Sequence, residues 1–379
     1  MSNSIEPFRI QVEDSVLLDL HRRLGQTRFP DQIEDTGWEY GIPVGYLRQL
    51  VGYWRDTYDW RSEEARLNGW EHFRTAIDDL SIHFVHARSP HADAVPLLLT
   101  HGWPGSVVEF LDVIPRLTDP ESYGGRAEDA FHVIAPSLPG YGFSDPPRVP
   151  GWDVDRTARA FVTLMARLGY PRYTAQGGDW GAQVTTRIGG LDPEHCAAIH
   201  LNMAPGVPPR EPRPLTEEEQ ADLAAMKRFT NDESGYANEQ GTKPQTIGAA
   251  LNDSPAGLLA WIVEKFRAWS DCGGDPEHCF TRDQLLTNVM LYWVTQTSAS
   301  SARLYWEVKH SSAGAPPFVE VPTGVARYPK EVLRWPRSWV ERQFNVVHWT
   351  DMERGGHFPA MEQPELFVDD LRLFFRIVR

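Results

Sequence analysis

The chain has 379 residues, and its 52 acidic residues outnumber the 37 basic ones, for a formal net charge of −15. This balance, with no run of Lys or Arg, argues against nucleic acid or an anionic membrane as the main partner. The length is enough for a large core and suggests two or three structural units, of which we expect one to be catalytic.

The cysteines indicate a reduced, cytoplasmic setting, because three of them cannot all pair and none shows Cys-x-x-Cys spacing. Cys272, His278 and Cys279 lie close in sequence, but two thiols and one imidazole lack a fourth ligand, so we expect no metal. The first twenty residues contain spread charges and only short apolar runs, so neither a signal peptide nor a membrane anchor is expected. The oligomeric state stays open between a monomer and a homo-oligomer.

The N-terminal segment is predicted to be mainly helical. Apolar residues recur at helical spacing over residues 12–24 and again over 47–58. The pattern changes to alternation over 80–84, which predicts the first edge strand of a sheet.

Apolar runs and helical stripes then alternate along the chain. The run at 95–100 is apolar throughout, as is typical of a strand buried on both faces. Such an alternation predicts a parallel, doubly wound sheet, whose ligand sites lie at the carboxyl ends of the strands. Strands are predicted at 95–100, 131–135, 173–175 and 197–201, and helices at 110–117, 161–168 and 182–188.

A proline-rich connector at 205–209 interrupts this alternation, since proline lacks the N–H that a strand needs. The stretch 215–307 has a helical pattern and is predicted to form a lid inserted into the sheet domain. Strands return at 318–322 and 345–349, and a final helix is predicted from Pro364.

A Gly-x-Asp-x-Gly pattern at 177–181 places Asp179 between a predicted strand and a predicted helix. Glycine has no Cβ, so it allows the sharp turn that lifts the middle side chain out of the sheet as a nucleophile. The helix N-terminus keeps the carboxylate ionised and can hold an oxyanion. The alternative for this pattern alone is a strand-to-helix turn in which Asp179 only caps the helix.

A histidine in the sequence Gly-Gly-His at 355–357 follows the strand at 345–349, and Glu331 follows the strand before it. The order Asp179, Glu331, His357 is similar to the nucleophile, acid and histidine order of the α/β-hydrolase fold, with Asp replacing Ser. Asp351 and Glu353 are rival acids, but they share the loop of His357, whereas the acid of this fold follows the preceding strand. Glu331 is therefore favoured.

A carboxylate nucleophile can attack an activated carbon directly and leaves an ester on the enzyme. His357, oriented by Glu331, would then activate a water for attack on that ester. The backbone N–H groups of Trp103 and Trp180 are expected to hold the resulting oxyanion. This chemistry needs no cofactor.

Motifs spread over nearly the whole chain resemble the epoxide hydrolases of the microsomal type. The resemblance implies a reaction of an epoxide with water to give a vicinal diol, and a role in detoxification. It also implies that two lid tyrosines, Tyr236 and Tyr305, donate hydrogen bonds to the epoxide oxygen. The motifs are Phe-Arg-Ile at 8–10, His-Gly-Trp-Pro-Gly-Ser at 101–106, Gly-Gly-Asp-Trp-Gly at 177–181, Ala-Leu-Asn-Asp-Ser-Pro at 250–255, Ser-Ser-Ala-Arg-Leu-Tyr at 300–305 and Arg-Gly-Gly-His-Phe at 354–358.

The expected fold is therefore an α/β-hydrolase fold, with a mostly parallel doubly wound sheet, an inserted helical lid and an N-terminal extension. The predicted division is an extension at 1–90, the first part of the core at 91–206, the lid at 207–316 and the second part of the core at 317–379. Aromatic residues in the lid favour an apolar epoxide as substrate. The microsomal members have a membrane anchor ahead of this region, which is not expected here.

Two other functions fit parts of the pattern. A haloalkane-type dehalogenase also uses an aspartate followed by tryptophan, but a halide leaving group needs no proton, so the tyrosine pair favours epoxide hydrolysis. A non-catalytic binding protein on the same fold is the second alternative, because a fold does not determine function. A protein that had lost catalytic activity would not need the acidic, imidazole and phenol groups that this sequence retains.

Overall fold

The computed structural model describes residues 4–211, 213–314 and 316–378, and its centre is a nine-stranded sheet. The order of the strands across the sheet is β1-β2-β3-β5-β4-β6-β7-β8-β9. Their bounds are β1 Ile5–Phe8, β2 His72–Ile77, β3 Leu80–Ala87, β4 Val95–Thr100, β5 Phe131–Pro136, β6 Tyr173–Gly177, β7 Cys196–Leu201, β8 Val319–Arg327 and β9 Phe344–Asp351.

Neighbouring strands run parallel from β5 through β4 to β9, whereas β1, β2 and β3 are antiparallel, as is β3 against β5. The expected mostly parallel α/β sheet is confirmed. The prediction that the strand near residue 80 lies at the edge is wrong, because β2 and β1 continue the sheet beyond it. The strand β1 has four residues and a proline, which suit an edge but give little periodicity to recognise.

Helices pack against the strands of the sheet, and a further group of helices is inserted between β7 and β8. These inserted helices, which run from Glu217 to His310, form the lid. Within the described ranges, none of the helices is long and apolar enough to cross a membrane. The bounds are α1 Asp14–Gly25, α2 Val44–Asp56, α3 Trp60–Leu67, α4 Ile114–Thr118, α5 Val154–Arg167, α6 Trp180–Leu191, α7 Glu217–Asp232, α8 Gly235–Gln240, α9 Pro244–Asp253, α10 Pro255–Trp269, α11 Arg282–Thr295, α12 Ser298–His310, α13 Arg337–Val340, α14 Pro359–Glu362 and α15 Pro364–Val378.

The helix predicted over 110–117 is interrupted, and this prediction is wrong in detail. A 3₁₀ turn covers Val107–Phe110, and α4 starts only at Ile114. Proline fits the first turn of a helix but has no N–H to continue one, so Pro115 starts a new helix rather than extending the turn. The proposed division at residues 90, 206 and 316 stays a prediction, and its outermost ends at 1–3 and 379 lie outside the described residues.

The apolar run of β4 is buried on both faces, as expected from its sequence. Leu97 and Leu99 pack into the hydrophobic cluster beneath α15, and Leu98 packs into the cluster on the opposite face. Each leucine is fully buried, which stabilises the fold by roughly 1.5 to 3 kcal/mol per side chain. Because β4 is buried on both faces, its position in the sheet is fixed, and so is the point at which the loop 101–106 begins.

Candidate active site

Asp179 occupies a sharp turn between the end of β6 and the start of α6. Its φ is 51° and its ψ is −126°, a region that costs a residue with a side chain roughly 1 to 3 kcal/mol. Both glycines of the pattern are needed for close backbone approach. A Cβ at Gly177 would overlap the carbonyl oxygen of Gly181, and a Cβ at Gly181 would overlap that of Thr100.

The Asp179 carboxylate is held by the loop after β4. The backbone N–H of Trp103 donates to Oδ1 of Asp179 over 2.8 Å. A Cβ at Gly102 would overlap the same oxygen, so the His-Gly-Trp sequence provides both the donor and the space. Trp180 is the first residue of α6, where an N–H has no partner within the helix. Its assignment as the second oxyanion donor stays a prediction.

His357 lies between Asp179 and Glu331. Its Nδ1 is 2.6 Å from Oε1 of Glu331, and its Nε2 is 3.4 Å from Oδ2 of Asp179. Asp351, one of the rival acids, instead pairs with Arg327 over 2.6 Å and is mostly exposed, as is Glu353. The structure thus brings together Asp179, Glu331 and His357 and leaves both rivals outside.

Both carboxylates affect the protonation of His357. Burial opposes a charge on the imidazole, but the nearby Glu331 and Asp179 carboxylates outweigh it and raise the pKa of His357 well above its usual value. The two carboxylates therefore favour the protonated form of His357 before substrate reacts. Loss of the negative charge on Asp179 would remove part of what raises this pKa.

The loop between β9 and α14, which carries His357 and is called the histidine loop below, is hydrogen-bonded to the end of lid helix α10. This contact was not predicted from the sequence. The His357 N–H donates to the Trp269 carbonyl over 2.9 Å, and a Cβ at Gly356 would overlap that carbonyl. Glu362 accepts from Phe358 N over 2.9 Å and from Asp271 N over 2.8 Å, so it ties the loop to the lid. The doubled glycine before His357 was the available signal of this close approach.

The phenol rings of the two lid tyrosines pack against Trp103 and Trp180, the tryptophans near Asp179. Tyr236, on α8, stacks on Trp103 with ring centroids 4.9 Å apart, and Tyr305, on α12, meets the edge of Trp180 at 4.7 Å. Burial, with the Asp179 charge as a further cause, raises the pKa of Tyr236 and that of Tyr305. Both phenols stay protonated and can donate hydrogen bonds.

Glu109 is a site residue that the sequence analysis missed. It lies in the 3₁₀ turn after the loop 101–106 and lines one small cavity together with Asp179 and His357. Burial raises the pKa of Glu109 to about 8, although the nearby imidazole of His357 acts in the opposite direction. A lone acid within the apolar run Val-Val-Glu-Phe was the signal that could have found it.

Comparisons with known proteins assign this arrangement to a family. The family described as epoxide hydrolase N terminus matches residues 5–110, and the alpha/beta hydrolase fold matches residues 95–252. A homologue from Stigmatella aurantiaca that is named an epoxide hydrolase is 52% identical over 99% of this chain and 86% of its own. The chain belongs to the epoxide hydrolase family.

Other relatives agree with this assignment. Epoxide hydrolase 1 of Sus scrofa is 40% identical over 99% of this epoxide hydrolase and 89% of its own chain. The crystal structure of juvenile hormone epoxide hydrolase from the silkworm Bombyx mori superposes with a TM-score of 0.91 at 36% identity, covering 100% of this chain and 95% of that one. Neither a dehalogenase nor a non-catalytic binding protein is favoured by these relatives.

Replacing Gly102 tests the contact between the loop and the carboxylate of this epoxide hydrolase. Gly102→Ala should reduce kcat/KM about 100-fold or more, because the new methyl group must displace the Asp179 carboxylate, and small misplacements of reacting groups are costly. The measurement is diol formation, with circular dichroism to check folding. Gly45→Ala is the matched control, since a Cβ there meets open space. Equal activity of both variants would contradict this expectation.

Proposed function

We propose that this enzyme hydrolyses epoxides in two steps, through an ester between Asp179 and a ring carbon of the substrate. The observation behind this proposal is the placement of the Asp179 carboxylate between a backbone donor and a histidine that is paired with a buried acid. A carboxylate so placed can act as a nucleophile without a base, and a histidine so placed can later activate water.

The two oxygens of Asp179 have different neighbours, which supports separate roles. Oδ1 accepts the Trp103 N–H, whereas Oδ2 lies on the side of His357. We assign the attack on carbon to Oδ2, so that Oδ1 becomes the ester carbonyl oxygen. Attack by water would then place the negative charge on Oδ1, where the Trp103 N–H already donates.

The first step opens the ring and needs a proton for the ring oxygen. Tyr236 and Tyr305 are protonated phenols near Asp179, so either can donate to that oxygen as its bond to carbon breaks. The proton is replaced from the His357 imidazolium, which leaves a neutral imidazole beside the new ester. Because the ester has no charge, one cause of the raised pKa of His357 is also removed.

The second step is hydrolysis of the ester. His357 removes a proton from water as the water oxygen bonds to Cγ of Asp179, and Glu331 stabilises the imidazolium that forms. The intermediate then collapses and releases the diol, whose oxygen takes the proton of the new carboxyl group. Asp179 is again a carboxylate and His357 is again protonated.

The surroundings of the phenols support an apolar epoxide as substrate. Trp103, Tyr236, Trp269 and Tyr305 pack around the space above Asp179, with centroid separations from 4.9 to 6.1 Å. Such walls favour apolar substituents, while the two phenol hydroxyls can recognise the ring oxygen. A cytoplasmic location, a detoxifying role and a homo-oligomeric state stay predictions.

Variants that block only one of the two steps test the two-step mechanism. His357→Gln should retain ring opening but slow ester hydrolysis about 100-fold or more, so that enzyme with the added substrate mass accumulates. Asp179→Ala should show neither the adduct nor diol formation. Intact-protein mass spectrometry after mixing with an aryl epoxide measures the adduct. Normal turnover by His357→Gln would be incompatible with the scheme.

The phenols are tested by removing their hydroxyl groups. Tyr236→Phe and Tyr305→Phe should each slow adduct formation about tenfold or more, and the double variant should be slower still, because the ring oxygen loses its donors. Tyr123→Phe, which changes an exposed phenol, is the control. Stopped-flow measurement of the tryptophan fluorescence reports the rate. An unchanged rate in the double variant would remove the tyrosines from the mechanism.

A further inference from the structure

A small cavity lies beside Asp179, between the ends of β4, β6 and β7 and the histidine loop. Its volume is about 20 Å³, which is enough to hold one water molecule. Both Asp179 and His357 line it, so anything bound there lies next to the two groups that ester hydrolysis needs. The other polar side chains that line it are Thr100, His101, Glu109, Gln176 and Asn202.

Two of these side chains have polar atoms without a protein partner. Oε1 of Gln176 and Oγ1 of Thr100 are buried and make no hydrogen bond within the described ranges, although Nε2 of Gln176 donates to Asn202 over 3.2 Å. A buried polar atom left unpaired costs roughly 1 to 3 kcal/mol. The cavity is therefore suited to a polar guest, and its size limits that guest to a water molecule.

Glu109 places a carboxyl group at the same cavity. The side chain folds back over the loop 101–106, where a Cβ at Gly105 would overlap its Oε1. The titratable groups around it are His357 and Asp179, His101 on the same loop, and Tyr292 on lid helix α11. Burial lowers the pKa of His101 to about 4, so that ring is neutral. In its protonated form, Glu109 has one O–H to donate.

We propose that this cavity binds the water that hydrolyses the ester, and that Glu109 and Gln176 orient it; the inference rests on the two-step function proposed above. The water donates to His357 and to Oε1 of Gln176, and it accepts the O–H of Glu109. Its remaining lone pair is directed to Cγ of Asp179. As the new C–O bond forms, the proton passes to His357, and Glu109 keeps its own proton.

Ionisation of Glu109 would oppose this step. A carboxylate cannot donate to the water, it repels the oxyanion on Asp179, and it holds the proton on His357. Because the pKa of Glu109 is raised to about 8, the acid is protonated below that pH and ionised above it. The hydrolysis rate should therefore fall as pH rises through about 8, while the ring-opening rate should not follow this decline.

Single-turnover kinetics with an aryl epoxide separates the two rates in the full-length enzyme. Glu109→Leu should slow ester hydrolysis about tenfold or more, as expected for one lost hydrogen bond, and change ring opening less than about twofold. Glu109→Gln, which cannot ionise, should hydrolyse the ester within about threefold of the wild-type rate at pH 7 and lose the alkaline decline. Gln176→Met removes the second contact and should also slow hydrolysis alone.

Glu362→Gln is the control for the pH profile, since Glu362 is another buried acid near His357 but does not line the cavity. This variant should retain the decline near pH 8. The water site is overturned if the Glu109 variants hydrolyse the ester normally with the alkaline decline intact, or if both steps slow equally. Failure of His357→Gln to form an adduct would instead overturn the two-step function.

Discussion

The hydrogen bond from the Trp103 backbone to the Asp179 carboxylate is the contact on which the rest of the site depends. It forms only because Asp179 adopts a positive φ and because residue 102 has no side chain. The strained conformation of this turn is maintained by the buried strands β4 and β6. The ends of these strands position the loop 101–106 and the turn at Asp179 next to each other. Sheet packing thus supplies the free energy that holds the reactive group in an unfavourable conformation.

The acids around one imidazole are given different charges by their surroundings. Glu331 contacts His357 directly and stabilises its positive charge, whereas burial raises the pKa of Glu109 to about 8 and favours its protonated form. Among these three acids, only Asp179 changes charge during the proposed reaction, when it becomes an ester. That change turns the histidine from an acid that supplies a proton into a base that accepts one, so the two steps need no further switch.

The parts of the site that follow from local sequence were predictable. Asp179 and His357 lie in glycine-marked turns after apolar strands, and the order of the chemical groups along the chain identified Glu331. Glu109 was not predicted, because its side chain reaches the cavity by folding back over Gly105. The spacing of apolar residues in the sequence carries no sign of such a contact. The same holds for Glu362, whose partners at Asp271 and Phe358 belong to the lid and the histidine loop. The edge strand β1 was missed because four residues with a proline give no pattern.

The origin of the oxygen added to the substrate distinguishes attack on the epoxide by Asp179 from direct attack by water. With enzyme in excess over epoxide in water enriched in oxygen-18, one turnover should give an unlabelled diol. The label should appear in the peptide that contains Asp179, since the first oxygen transferred to carbon comes from its carboxylate. Label in the diol and none in that peptide would mean that water attacks the epoxide directly and that Asp179 is not the nucleophile.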